Sequence, residues 1–115
     1  MAKKRNTSKS EKRVNPHALQ NALRNLKSRF ATDDIKSMKE VSGAYATGMP
    51  FALDMSYDTM IKRFHNPEQL TLNDILITSD ITETEVEIII KVAIAEARKS
   101  HIKRDISHLL PKNED

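Results

Sequence analysis

Pro67 fixes one end of the run Ser56-Tyr57-Asp58-Thr59-Met60-Ile61-Lys62-Arg63-Phe64-His65-Asn66, because its ring drives the preceding residue out of the α region. Ser56 supplies the matching start, with a hydroxyl placed to accept a hydrogen bond from the backbone N–H of Asp58 or Thr59. About three helical turns fit between these two limits. Along them Met60, Ile61 and Phe64 fall on the face that buries, and Tyr57, Asp58, Thr59, Lys62 and Arg63 are left toward solvent or a partner. The segment is a short, cationic, capped helix with a hard stop.

The rest of the chain carries helical periodicity throughout. Asn15-Pro16 is an N-cap followed by proline at the first helical position, and Leu19, Ala22, Leu23, Leu26 and Phe30 mark one apolar stripe. A second start is predicted at Thr32-Asp33-Asp34, where acidic residues suit the positive end of a helix dipole and Ile35, Met38 and Val41 continue the period. Small residues and both glycines, Gly43 and Gly48, mark a break between Ser42 and Pro50, followed by a short helical turn through Phe51, Ala52 and Leu53. Downstream, Thr71 caps a helix with Leu72, Ile75 and Leu76 inward, ending near Ser79-Asp80. Thr82-Glu83-Thr84-Glu85 has the form of a capping box and opens a helix from about Glu83 to His101, with Val86, Ile89, Ile90, Ala93 and Ala97 as its main stripe. Ile88, Val92 and Ile94 widen that stripe, and Ile102, Ile106, Leu109 and Leu110 repeat helical spacing up to Pro111.

The charge is unevenly placed. Net charge is +3, but residues 1–14 hold six Lys/Arg against one Glu, so residues 15–115 sum to −2. Lys3, Lys4, Arg5, Lys9, Lys12 and Arg13 lie among Asn, Thr and Ser with almost nothing apolar to bury, which makes residues 1–14 a disordered basic arm. Such an arm either neutralises nucleic-acid phosphates or serves only as a solubilising tail. With 115 residues and 38% hydrophobic composition the remainder can build one modest core. No cysteine is present for a disulfide or thiolate metal site, and no apolar run is long enough for a membrane span or signal peptide, so the expected location is cytoplasmic.

Residues 55–75, from Met55-Ser56-Tyr57 through Asn66-Pro67-Glu68-Gln69-Leu70-Thr71-Leu72-Asn73-Asp74-Ile75, resemble the second half of phage Cro/CI-type (lambda-repressor-like, Xre) helix-turn-helix domains. The likeness is closest over residues 49–81. It implies an all-α single domain of five to six short helices, with residues 15–101 as the helix-turn-helix domain and 102–115 as a C-terminal amphipathic segment and tail. Leu53 and Met55 would flank the turn, and Met60 and Phe64 would pin the recognition helix to the core. Tyr57, Asp58, Thr59, Lys62 and Arg63 would lie on or near the face that enters double-stranded DNA. Asp54 stands where the family's turn usually has glycine, and Pro50 where the preceding helix usually has a small alanine, so that helix must start at Pro50.

No glycine-rich phosphate loop, nucleophile elbow or paired-carboxylate signature is present, so catalysis is not expected. His101, Asp105 and His108 would share one helical face, but three ligands without supporting residues do not define a zinc site, and neither metal nor cofactor is expected. The expected function is regulatory DNA binding, transcriptional or in a mobile element. Tyr57, Asp58 and Thr59 would face base edges, and Lys62, Arg63 and arm residues Lys3, Lys4 and Arg5 would face phosphates. The alternative is a protein-interaction module that keeps the same scaffold. Surplus apolar surface in the C-terminal third predicts a homodimer.

Overall fold

The computed structural model describes residues 13–112, which form six α-helices and two 3-10 turns and contain no strand. The architecture is all-α. In chain order the helices are α1 (Pro16–Ala31), α2 (Lys39–Ser42), α3 (Met49–Leu53), α4 (Tyr57–Phe64), α5 (Leu72–Thr82) and α6 (Val86–Ser100). The 3-10 turns are Pro67–Gln69, between α4 and α5, and Ser107–Leu109 in the tail. Among the described residues, no helix is long and apolar enough to cross a membrane.

α1 begins where its cap and proline place it, the Asn15 side chain accepting hydrogen bonds from the N–H groups of His17 and Ala18. Its inner face contributes Leu26 and Phe30 to one core shared with Ile35, Met38, Val41, Met49, Leu53, Met60, Phe64, Ile75, Ile89, Val92 and Ala93. α2 packs on α4, α1 and α3 pack on α5, and α6 packs on α5 and the Pro67–Gln69 turn. The 43–48 break is held to α1 by the Tyr45 hydroxyl, which accepts the Asn15 N–H at 3.0 Å. Gly48 leaves room for that ring, because a Cβ at its position would lie 2.8 Å from the Tyr45 side chain and displace it.

The helix predicted to start at Thr32-Asp33-Asp34 does not form; α2 spans only Lys39–Ser42. Thr32 and Asp33 instead finish α1. Asp33 is left-handed at φ 58°, and the N–H groups of Asp33 and Asp34 return to the carbonyls of Phe30 and Arg29. Beyond Ile35, three amides are taken by side chains: Glu40 accepts those of Lys36 and Ser37, and Glu96 of α6 accepts that of Met38 at 2.8 Å. Arg29 completes the arrangement by pairing with both Asp34 and Glu40. Ile35 and Met38 are buried as their spacing requires, but on a carboxylate-braced loop.

The capping box lies at Thr71–Asp74 and not at Thr82–Glu85. The Thr71 hydroxyl accepts the Asp74 N–H and the Asp74 carboxylate accepts the Thr71 N–H, each at 3.0 Å. Thr82 belongs to the end of α5, its hydroxyl donating to the Thr78 carbonyl, and Glu83 closes that helix in the left-handed region at φ 49°. Glu85 is the N-cap residue of α6 but makes no side-chain capping bond. Drawing Asp74 inward also carries Thr78 and Thr82 inward at i+4 and i+8. Leu72 and Leu76, two residues to either side of Asp74, therefore point away from the core and are 69% and 46% exposed, against the inward placement their hydrophobicity suggests. The tail departs from expectation as well: residues 101–106 have no helix, and Ile102, Ile106, Leu109 and Leu110 are all exposed.

These differences set two stability tests. Asp74→Ala should destabilise by about 2–4 kcal/mol, since it removes a cap and leaves the partly exposed Arg63 without its partner, whereas Glu85→Ala should stay within about 0.5 kcal/mol. Urea denaturation followed by far-UV circular dichroism compares the two. Burial pushes the Glu40 carboxyl up, but the Lys36 N–H, the Arg29 guanidinium and the Ser37 N–H together hold it below its ordinary value. A depressed carboxyl stabilises the fold above its unfolded pKa, near 4.3 for glutamate by rough reference, and that contribution disappears as pH falls through the lower folded value. Glu40→Gln should thus lower stability at neutral pH and flatten the loss of stability below about pH 4.

Candidate nucleic-acid interface

α3 and α4 are joined by only three residues, Asp54, Met55 and Ser56. Pro50 sits in the first turn of the five-residue α3, where a missing N–H is tolerated. Asp54 then takes the left-handed conformation, φ 57° and ψ 49°, and the chain reverses with the Met55 N–H bonded to the Pro50 carbonyl at 3.0 Å. Ser56 caps α4 by accepting the Thr59 N–H at 3.1 Å, and its own hydroxyl donates to the Thr59 hydroxyl at 2.9 Å.

Once started, α4 divides sharply. Met60 and Phe64 are wholly buried and Leu53 and Met49 of α3 are buried beside them in the same core. Tyr57, Asp58 and Lys62 are exposed, and Thr59 is half-buried. Asp58 in the first turn and Lys62 in the last each match the sign of the helix dipole at their end. Next to Tyr57 a shallow hollow of about 360 Å³ is lined by Pro50, Phe51 and Met55 among others, so the ring stands at the rim of an apolar shelf.

Arg63 is placed differently from its neighbours. Its Nη1 reaches both carboxylate oxygens of Asp74, at 3.1 and 3.3 Å, with the arginine side chain 36% exposed and the aspartate 2%. The guanidinium thus fastens the last turn of α4 to the first turn of α5, across the Asn66-Pro67 stop, where Asn66 has φ −131°. Sequence reasoning missed this partner, although the Thr-x-x-Asp spacing at Thr71–Asp74 was the available signal.

Tyr57, Asp58, Thr59, Lys62 and Arg63 therefore all belong to one helix bordering one turn, four facing outward or half outward and one tied inward. Lys3, Lys4 and Arg5 lie outside the described residues. Among the described residues no group of three or more His, Cys, Asp and Glu side chains could hold a metal ion. His101 and His108 do not share a helical face with Asp105, because this stretch is extended before the 3-10 turn; the Asp105 carboxylate accepts the Ser107 N–H at 2.9 Å, which lowers its pKa. Compared with known proteins, the chain matches no family model, no curated protein and no solved structure.

The left-handed turn residue gives a direct test of this geometry. Alanine and glycine both remove the Asp54 side chain, but only glycine enters the left-handed region without steric penalty. Asp54→Gly should be more stable than Asp54→Ala by about 1–2 kcal/mol. Equal thermal stabilities for the two variants would mean that the turn takes another backbone path.

Proposed function

We propose that the chain is a DNA-binding regulator that inserts the exposed face of α4 into the major groove. The observation that carries the reading is the pairing of two short helices across a three-residue left-handed turn, with Met60 and Phe64 sealed in the core and a polar row left open. An eight-residue helix fixed in this way fits the groove and projects its first residues furthest toward base edges. Thr59 contributes hydrogen bonding and Asp58 an acceptor suited to an exposed cytosine amino group, while the Tyr57 ring and its apolar shelf suit a thymine methyl. Lys62 neutralises phosphate at the rim, joined by Lys3, Lys4 and Arg5 of the basic arm. Arg63 acts from its seat on Asp74, setting the angle of α4 and offering its remaining donors to the backbone. The acidic balance of residues 15–115 makes the arm a necessary source of non-specific affinity.

A second reading, a protein-interaction module on the same scaffold, is favoured by the exposed Leu72, Leu76 and Ile94. Salt-titrated binding to duplex DNA separates the two. DNA binding predicts an affinity that falls with salt, with the slope of log K against log salt reduced by about 0.9 for each phosphate no longer neutralised in Lys62→Ala or on deletion of residues 1–13. Thr59→Ala should change sequence preference while leaving thermal stability nearly unchanged. Absence of duplex binding at low salt would reject DNA binding in favour of the interaction module.

A further inference from the structure

Among the described residues, two apolar features that are open to solvent adjoin. One is a groove of about 390 Å³ between α6 and the start of α5, lined chiefly by Leu70, Leu72, Ile75, Ile90, Ala93 and Ile94, with Pro67 and Glu68 at its edge. A second hollow continues it along α6 past Glu68 and Arg98 to His101 and Ile102. The other feature is the tail. Ile102, Ile106, Leu109 and Leu110 are 87%, 43%, 65% and 55% exposed, and Lys103, Arg104 and Asp105 between the first two give the segment a net positive charge. The hydrophobic groove and the hydrophobic segment thus lie on the same chain, and neither covers the other.

We propose that the groove receives residues 102–110 of a second copy of this chain, so that two protomers exchange their tails reciprocally. Such exchange goes beyond duplex reading and does not depend on it. Geometry and charge favour exchange over folding back. α6 ends at His101 in an extended conformation, φ −75° and ψ 130°, which carries the chain onward from the helix. A reversal at that point would bring Lys103 and Arg104 back against Arg98 and Lys99, like charges at close range. A tail arriving from a partner has no such sequence constraint and can set its basic residues beside Glu68 at the groove edge. Reciprocity doubles the area buried, which brings a nine-residue segment toward the roughly 1,200–2,000 Å² of stable interfaces.

Sedimentation of the full chain without DNA tests the exchange, using a tail variant, Ile106→Asp/Leu109→Asp, and a groove variant, Ile94→Asp. All three positions are exposed, so the folded protomer should survive, and circular dichroism checks that it does. The wild type should sediment as a dimer at high micromolar concentration and each variant alone as a monomer. Mixed in equal amounts, the two variants should recover a weaker heterodimer, because one intact tail then meets one intact groove. A monomeric wild type overturns the proposal. So does a wild-type dimer that either variant leaves intact, or a mixture of the variants that stays monomeric, since those results place the interface elsewhere or between the tails themselves.

Discussion

Asp74 is an almost fully buried carboxylate, and the orientation of the candidate site depends on what it holds. It accepts the Thr71 N–H, which starts α5, and both its oxygens receive Arg63, which ends α4. A buried carboxylate survives only with such partners, and here the partners belong to the two helices that must be oriented. α4 has eight residues, too few to be helical on their own in water. Its conformation is imposed from three sides, by the Ser56 cap, by burial of Met60 and Phe64, and by the Arg63 clamp. A rigid polar face on so short a helix follows from that triple constraint.

The same device recurs in the connection between α1 and α2. Glu40 and Glu96 accept the amides of Lys36, Ser37 and Met38, so that three donors of this loop are satisfied without helix or sheet. Glu96 reaches there from α6, and in doing so joins the C-terminal helix to the connection between α1 and α2. Among the described residues no buried side-chain nitrogen or oxygen lacks a hydrogen-bond partner. Carboxylates act as structural staples in this protein, which explains how a chain with 30% charged residues closes a modest core.

Much of the helical framework can be read from local chemistry. Asn15-Pro16, the 43–48 break, Ser56 and Asn66-Pro67 mark their boundaries through caps and backbone sterics, and these act within a few residues. What local reading misplaces is decided by distant partners. Thr32-Asp33-Asp34 has the composition of a helix start, yet Glu40 and Glu96 claim the amides that a helix would have used. Thr82-Glu85 and Thr71-Asp74 both have capping-box form, but Thr82 falls in the last turn of α5 with Glu83 left-handed after it, while Thr71 precedes that helix and Asp74 is drawn inward by its attraction to Arg63. That attraction also reverses the expected facing of Leu72 and Leu76. The residues of the α4 face were legible because amphipathic spacing is local, whereas the inward role of Arg63 required knowing what lay across Pro67.

If the outward row of α4, held in place through Asp74, reads DNA, then duplex binding must perturb that row and spare the core beneath it. Titration of the isotope-labelled chain with short duplex DNA, followed by amide chemical shifts in two-dimensional NMR, makes this visible residue by residue. The largest changes should map to residues 54–62, with the Met60 and Phe64 side chains unperturbed and smaller changes in the basic arm. Shifts confined to the arm, or to residues 94–112, would show that α4 is not the reading element.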